Sequence, residues 1–296
     1  MGFIEILKYV LLVIGSYLIG NISFARIISK LNHKDITKSG SGNPGSMNML
    51  RSYGFKFGIL TLILDTLKGA IPALVGSLIF SGNPIGIYVA GVSVILGHIY
   101  PVFYKFKGGK GIACTLGVFL VADPLWFLVF FALAFLYLLI FDYGSIASLF
   151  VVSALIIIEG AKASKMPYET SLPVCILLFT IFVLTWFAHR TNIKRLLIGK
   201  ENKANLQQSL KKHFKKEKTA IKNEYKEEKT LKENEYKQQA SVLTDKQELK
   251  AAKKHYKMEK KEIKKQYKKR KRKVYDYAHI VELVSVKDEN QNQDNE

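Results

Sequence analysis

The chain has 296 residues, 49% of them hydrophobic, yet a net charge of +20. The two properties separate at Gly199: residues 1–199 hold 16 Lys and Arg against 7 Asp and Glu, and residues 200–296 hold 28 against 17. The composition is not that of one uniform domain, and Cys114 and Cys175, each inside an apolar run, exclude a disulfide framework.

Crossing a hydrocarbon core takes about 20 mostly apolar helical residues. Candidate spans fall at 4–27, 56–80, 85–104, 111–122, 124–141, 145–160 and 171–189. The first is too long for the core of a signal peptide, and "SYLIGN" offers no clear cleavage site, so it reads as a retained span. The fourth is short and ends at Asp123 and Pro124, which favour a break; the sixth is also short. Six spans with one re-entrant segment is the alternative count. The predicted fold is all-α, a polytopic membrane helix bundle of about seven transmembrane helices with a charged tail. With seven spans, Lys30, Lys34, Lys38, Arg51, Lys56, Lys105, Lys107, Lys110, Arg190, Lys194, Arg195 and the tail share one side. The other side receives the uncharged "SGNP" at 81–84, Asp123, Lys162 and Lys165. Lys and Arg gather in cytoplasmic loops, which puts the N-terminus outside and the C-terminus in the cytoplasm.

The first cytoplasmic loop, "SGSGNPGSMNMLRSYG" at 39–54, holds Gly42 and Gly45 among four glycines whose bare backbone suits an anion. Ser39, Ser41, Asn43 and Asn48 add neutral donors, and Arg51 adds a planar fork suited to phosphate. Asp65 and Lys68 lie within the second span. Ionisable groups at that depth default to a functional reading, although a pair three apart on a helix also neutralises itself. The second cytoplasmic loop, "YKFKGGKGIAC" at 104–114, sets Lys107 and Lys110 among Gly108, Gly109 and Gly111. Neither loop is a Walker A motif, since Lys110 is followed by glycine, which argues against a nucleotide triphosphatase. On the same face, "FDYGSIASL" supplies Ser145 and Ser148, and "AHRTNIKRLLIGKE" supplies His189, Asn192, Arg195 and Glu201. His189 and Asn192, three apart, share a helix face. The plainer reading of either loop alone is close helix packing by glycine and lysines reaching toward water. Two such stretches on one face favour an anion site.

Residues 200–296 contain no apolar run able to span a membrane or build a core. Phe214, Tyr225 and Tyr236 recur at eleven residues, as do Tyr256 and Tyr267, while Val242, Leu249, Tyr256 and Ile263 recur at seven. An eleven-residue period matches a nearly straight helix. The tail from residue 204 is predicted as a lysine- and glutamate-rich helix, solvated or weakly self-associating, with disorder over 287–296. Its charge suits anionic lipid or an acidic partner, and the interspersed acids weigh against nucleic acid.

The stretches "SGNPGSMNMLR", "GHIYPVFYKFKGGKGIA", "YGSIASL" and "HRTNIKRLLIGKE", in this order, resemble the bacterial integral-membrane glycerol-3-phosphate acyltransferases that use acyl phosphate, the PlsY family. The resemblance covers roughly residues 5–203. It implies a seven-helix bundle in the bacterial cell membrane that makes 1-acyl-glycerol 3-phosphate, a step in phospholipid biosynthesis. It also implies a peripheral enzyme that supplies acyl phosphate. Lys110 and Arg51 are then expected at the phosphates, Ser41, Asn43 and Ser145 around the reacting groups, and His189 and Asn192 at the glycerol hydroxyls. The base is His189 or the phosphate of the donor. Where the family usually reads "GNPGATNVLR" this chain has Ser46, Met47 and Met49, and Cys114 stands where a threonine is common. No metal-ligand cluster or cofactor loop is visible. The rival readings are a membrane transporter for a phosphorylated solute and a scaffold that recruits lipid enzymes through its tail. Neither would make an acylated product. With no motif beyond Glu201, truncation after Lys203 is expected to leave turnover intact.

Overall fold

The structure, a computed structural model, describes the backbone of residues 2–293 and the side chains from Gly2 through Asp276 and of Ala278. Among these residues the regular elements are all helical. The chain divides into two compact units, Met1–Leu206 and Gln207–Glu296.

The first unit contains α1 (Phe3–Gly20), α2 (Phe24–Leu31), α3 (Ser46–Tyr53), α4 (Phe55–Ile79), α5 (Pro84–Ile99), α6 (Ile112–Ala122), α7 (Pro124–Phe141), α8 (Gly144–Ala163), α9 (Tyr168–Ala188) and α10 (Arg190–Leu197). Their starts follow local chemistry. Asn83 accepts the Ile85 amide (3.0 Å) and Asp123 the Trp126 amide (3.3 Å), each followed by a proline whose fixed φ suits a first helical residue. Each of the seven predicted spans contains an α-helix. Among the described residues, six stretches are long and apolar enough to cross a membrane. The exception is α6, whose eleven residues rise only about 16 Å. It is an inner helix, with Cys114, Thr115, Leu116, Val118 and Phe119 buried. Glycine on both sides brings it against α4: a Cβ on Gly69 would lie 2.1 Å from the Cys114 carbonyl oxygen, and one on Gly117 2.0 Å from that of Thr66. The outer helices α1, α7 and α9 instead expose Phe3, Leu125 and Phe179, apolar side chains suited to lipid.

The first predicted span, drawn as one helix over 4–27, is broken between α1 and α2. The break is occupied by Lys68 of α4, which donates to the carbonyl oxygens of Gly20 (3.3 Å) and Ile22 (2.5 Å). Lys68 Nζ also lies 3.0 Å from Asp65 Oδ1, and both side chains are buried. The pair therefore does more than neutralise itself: a buried ammonium satisfies carbonyls that the helix interruption has released. At the other end of the unit, buried Tyr88 donates to Glu159 (2.6 Å), and Lys162 pairs with Glu159 (3.0 Å) and Asp123.

The second unit is an antiparallel hairpin of α11 (Leu206–Val242) and α12 (Lys246–Gln293), turned at Asp245, which accepts the Glu248 amide (3.3 Å). Tyr225 stacks on Tyr267 (4.4 Å) and Tyr236 on Tyr256 (4.8 Å). Glu224 pairs with Arg270 (2.8 Å) and Glu259 with Lys232 (3.3 Å). Ile221, Ala252, Ile263 and Val274 are buried along the seam. The eleven-residue period is thus the inner stripe of two paired helices rather than one solvated helix. The seven-residue set is not a seam, since Val242 is 80% exposed. Helix α12 continues through Gln293, into the stretch expected to be disordered, and residues 294–296 lie outside the described residues.

Removing the ammonium at Lys68 leaves Asp65 buried beside unsatisfied carbonyls. Lys68→Ala is expected to destabilise the folded protein by about 3–5 kcal/mol, measured as a lowered unfolding midpoint in detergent. An unchanged midpoint would show that the pair carries no structural burden.

Candidate active site

One cavity of about 330 Å³ lies in the membrane unit. Its lining is polar at one end and apolar at the other. The apolar part is formed by Leu62 of α4, Leu116 of α6, Phe131, Phe135 and Leu138 of α7, and Val151 of α8. The polar part receives the first turns of three helices: Ser46 and Met47 of α3, Ile112 and Ala113 of α6, and Gly144 and Ser145 of α8. First-turn amides have no intrahelical acceptor, and the helix dipole adds partial positive charge there. Three such ends at one cavity make an anion site. The two glycine-containing loops start α3 and α6. Asn48 ties the first loop by accepting the Ser41 amide (3.0 Å) and donating to the carbonyl oxygens of Ser39 (2.9 Å) and Ile36 (3.3 Å). In the second, Gly111 starts α6 from φ +83°, which favours glycine.

Cations complete the polar end. Arg51, Lys110 and Arg195 line it together with Glu201. Lys110 donates to Asn192 Oδ1, Asn192 Nδ2 donates to Glu201 (2.6 Å), and Arg195 Nε donates to the other oxygen of Glu201 (3.0 Å). Burial works to raise the Glu201 carboxyl, but hydrogen bonds from Asn192 and Arg195 outweigh it and hold it below its ordinary value. Burial pulls the Lys110 ammonium down to about 8. Burial, reinforced by the nearby Lys110 charge, pulls His189 down to about 4, so the ring is neutral at pH 7. His189 Nδ1 lies 2.8 Å from the Thr185 carbonyl oxygen and must carry the proton there, leaving Nε2 with a lone pair. The site is therefore strongly cationic around one neutral imidazole.

Ser41, Asn43, Gly45, Arg51, Asp65, Lys110, Gly111, Ser145, Ser148, His189, Asn192 and Glu201 all line this cavity. Gly42, Lys68, Lys107, Gly108 and Gly109 do not. The Gly42 amide is used by Ser39 O (3.0 Å). The amides of Gly108 and Gly109 donate to Ile99 O (3.1 Å) and His98 O (3.0 Å), so they close the C-terminal end of α5 rather than cradle an anion. A Cβ on Gly109 would meet His98 Nε2 at 2.1 Å, which explains glycine there by packing. Lys107 has an exposed side chain, and its carbonyl oxygen accepts from Arg26 (2.5 Å). Two of the departures from the family pattern also separate here. Cys114 is buried outside the cavity, whereas Met47 lines it, its side chain against the open side of Gly144.

Sequence reasoning passed over His98, which lines the cavity with its Nδ1 4.0 Å from Asp65 Oδ1. It also passed over Asp142, whose carboxylate accepts the amides of Asn205 and Leu206 (3.0 Å each) and whose carbonyl accepts that of Ala204 (2.8 Å). Arg51 Nε donates to Lys203 O (2.9 Å). The segment after α10 is thereby strapped to the site, and Asn202, Ala204 and Leu206 become part of its wall.

The profile of the family described as "Glycerol-3-phosphate acyltransferase" matches residues 10–199. The chain belongs to that family. A glycerol-3-phosphate acyltransferase of Aquifex aeolicus is 39% identical over 199 residues, 67% of this chain and all of the relative. Glycerol-3-phosphate acyltransferase 2 of Bacillus anthracis is 43% identical over 196 residues, 66% of this chain and 98% of the relative. Among solved structures, the chain is similar to PlsY (YgiH), described as an integral membrane glycerol 3-phosphate acyltransferase. Its glycerol 3-phosphate form has 36% identity and a TM-score of 0.60, covering 66% of this chain and 95% of that one. Its lysophosphatidic acid form has 37% identity and a TM-score of 0.58 over the same shares. The protein is a multi-pass membrane acyltransferase, and its hairpin lies beyond the matched residues.

Two outcomes follow from the geometry. Lys110 is charged below about pH 8 and neutral above it, so kcat/KM is expected to fall as pH rises through about 8. Lys110→Arg, if active, should lose that limb, since guanidinium stays charged beyond about pH 12. A limb that survives in the arginine variant would assign it elsewhere. Second, a chain ended at Leu210 should keep turnover, whereas one ended at Lys200 loses Glu201 and the strap and should lose most of it. Equal activity of the two folded proteins would remove the strap from the site.

Proposed function

We propose that the protein transfers an acyl group from acyl phosphate to glycerol 3-phosphate, giving 1-acyl-glycerol 3-phosphate and inorganic phosphate. The observation that carries this reading is a single cavity with a phosphate-suited cationic end and an apolar end suited to an acyl chain. The names of the relatives and the ligand forms of the similar structures support the acceptor. The donor rests on the chemistry of the site: a phosphate matches converging helix N-termini with Lys110 and Arg51. The charge asymmetry of the loops supports a cytoplasmic polar end with the N-terminus outside.

An acyl phosphate is a mixed anhydride, so no covalent enzyme intermediate is needed. The glycerol hydroxyl attacks the acyl carbon, the bond from that carbon to the phosphate oxygen breaks, and phosphate leaves with the electron pair. Lys110, Arg51 and the first-turn amides stabilise the charge gathering on the leaving group. Ser41, Asn43 and Ser145 hydrogen-bond around the reacting groups, and Asn192 and the Nε2 of His189 orient the hydroxyls. An imidazole with a pKa near 4 is a weak base. It suits an acceptor that aligns the hydroxyl, with the leaving phosphate as the proton's destination.

The test is incubation of purified protein with labelled glycerol 3-phosphate and either acyl phosphate or acyl-CoA. Acylated product from acyl phosphate alone is expected. Comparable turnover from acyl-CoA would overturn the donor, and no product from either would favour the transporter. Lys110→Ala should lower kcat about 10²–10³-fold, the cost of removing one preorganised charge donor. Lys105→Ala, an exposed position, should change it little.

A further inference from the structure

Residues 246–273 of α12 hold 15 Lys and Arg against three glutamates. They occupy about 42 Å of helix. One of the three acids, Glu259, is turned inward to Lys232 of α11. The cations from Lys260 to Lys273 are exposed, while Tyr256, Ile263, Tyr267 and Val274 form the inner stripe. Helix α12 therefore presents positive charge along its outward side, concentrated over 260–273.

We propose that this surface lies on the anionic lipid surface of the bilayer that holds the protein. Three observations choose that occupant. A long run of exposed cations on a helix, with no shaped recess among them, fits a laterally uniform anionic plane better than a shaped protein partner. The tyrosines stack on one another inside the hairpin, which removes the aromatic platform that single-stranded nucleic acid would need. Chain continuity at Leu206 tethers the hairpin to a membrane protein, so the bilayer is present at high effective concentration. Basic clusters beside a membrane are attracted to anionic headgroups over about a Debye length. The proposal is independent of the acyl donor.

The test uses the full chain in nanodiscs of phosphatidylcholine alone or with phosphatidylglycerol, followed by trypsin cleavage within 260–273. In anionic discs cleavage should slow by about tenfold or more, and high salt should restore it as the Debye length falls to about 3 Å at 1 M. The variant carrying Lys264→Glu, Lys265→Glu, Lys268→Glu and Lys269→Glu, all exposed, should lose the protection and keep turnover at saturating substrate. Equal cleavage in neutral and anionic discs overturns the proposal. So does protection in neutral discs by an RNA oligonucleotide or polyglutamate that exceeds the protection given by anionic lipid.

Discussion

A phosphate brought to the edge of a hydrocarbon core loses most of its water, and fixed positive charge and hydrogen-bond donors must replace it. The membrane unit is arranged around that requirement. The positive ends of α3, α6 and α8 open into one cavity, and Arg51, Lys110 and Arg195 stand beside them. Mutual repulsion among these groups is limited by Glu201, which accepts from Asn192 and Arg195. Burial, reinforced by the Lys110 charge, keeps His189 neutral beside this anion site.

Holding these parts in place requires polar structure inside the bundle. Lys68 bridges Asp65 and the interrupted first span. His98 sits against Gly109, joining the end of α5 to the loop that delivers Lys110. The inner helix α6 is short because it need not cross the membrane unaided. Its first turn lines the cavity, and glycines let its body press against α4. The strap from Glu201 to Leu206 closes the wall through Asp142 and Arg51 and leads directly into the hairpin.

The helical spans, the basic loops and most polar cavity residues were legible in the sequence, because hydropathy and loop charge act locally. Lys110, Arg51, His189 and Asn192 could be picked out by residue type beside glycine or at a span end. Whether an amide is free could not be read that way. Gly108 and Gly109 look like an anion cradle until α5 is seen to need their amides for its own last carbonyls. Lys68 looks like half of an isolated pair until Gly20 and Ile22, more than forty residues earlier, turn their carbonyls to it. The hairpin was hidden for the same reason. Its eleven-residue stripe was visible, but the turn at Asp245 that folds the stripe onto itself has only a short polar signal.

The central claim is that the donor's phosphate is neutralised by Lys110 at the meeting of three helix N-termini. The most direct measurement is solid-state dipolar dephasing of ¹⁵N-lysine ammonium signals by the ³¹P of a bound, non-hydrolysable acyl phosphate analogue in bilayers. The Lys110 ammonium, assigned by its absence in Lys110→Arg, should be strongly dephased, and Lys105 should not. Dephasing confined to exposed lysines, with Lys110 untouched, would contradict the account.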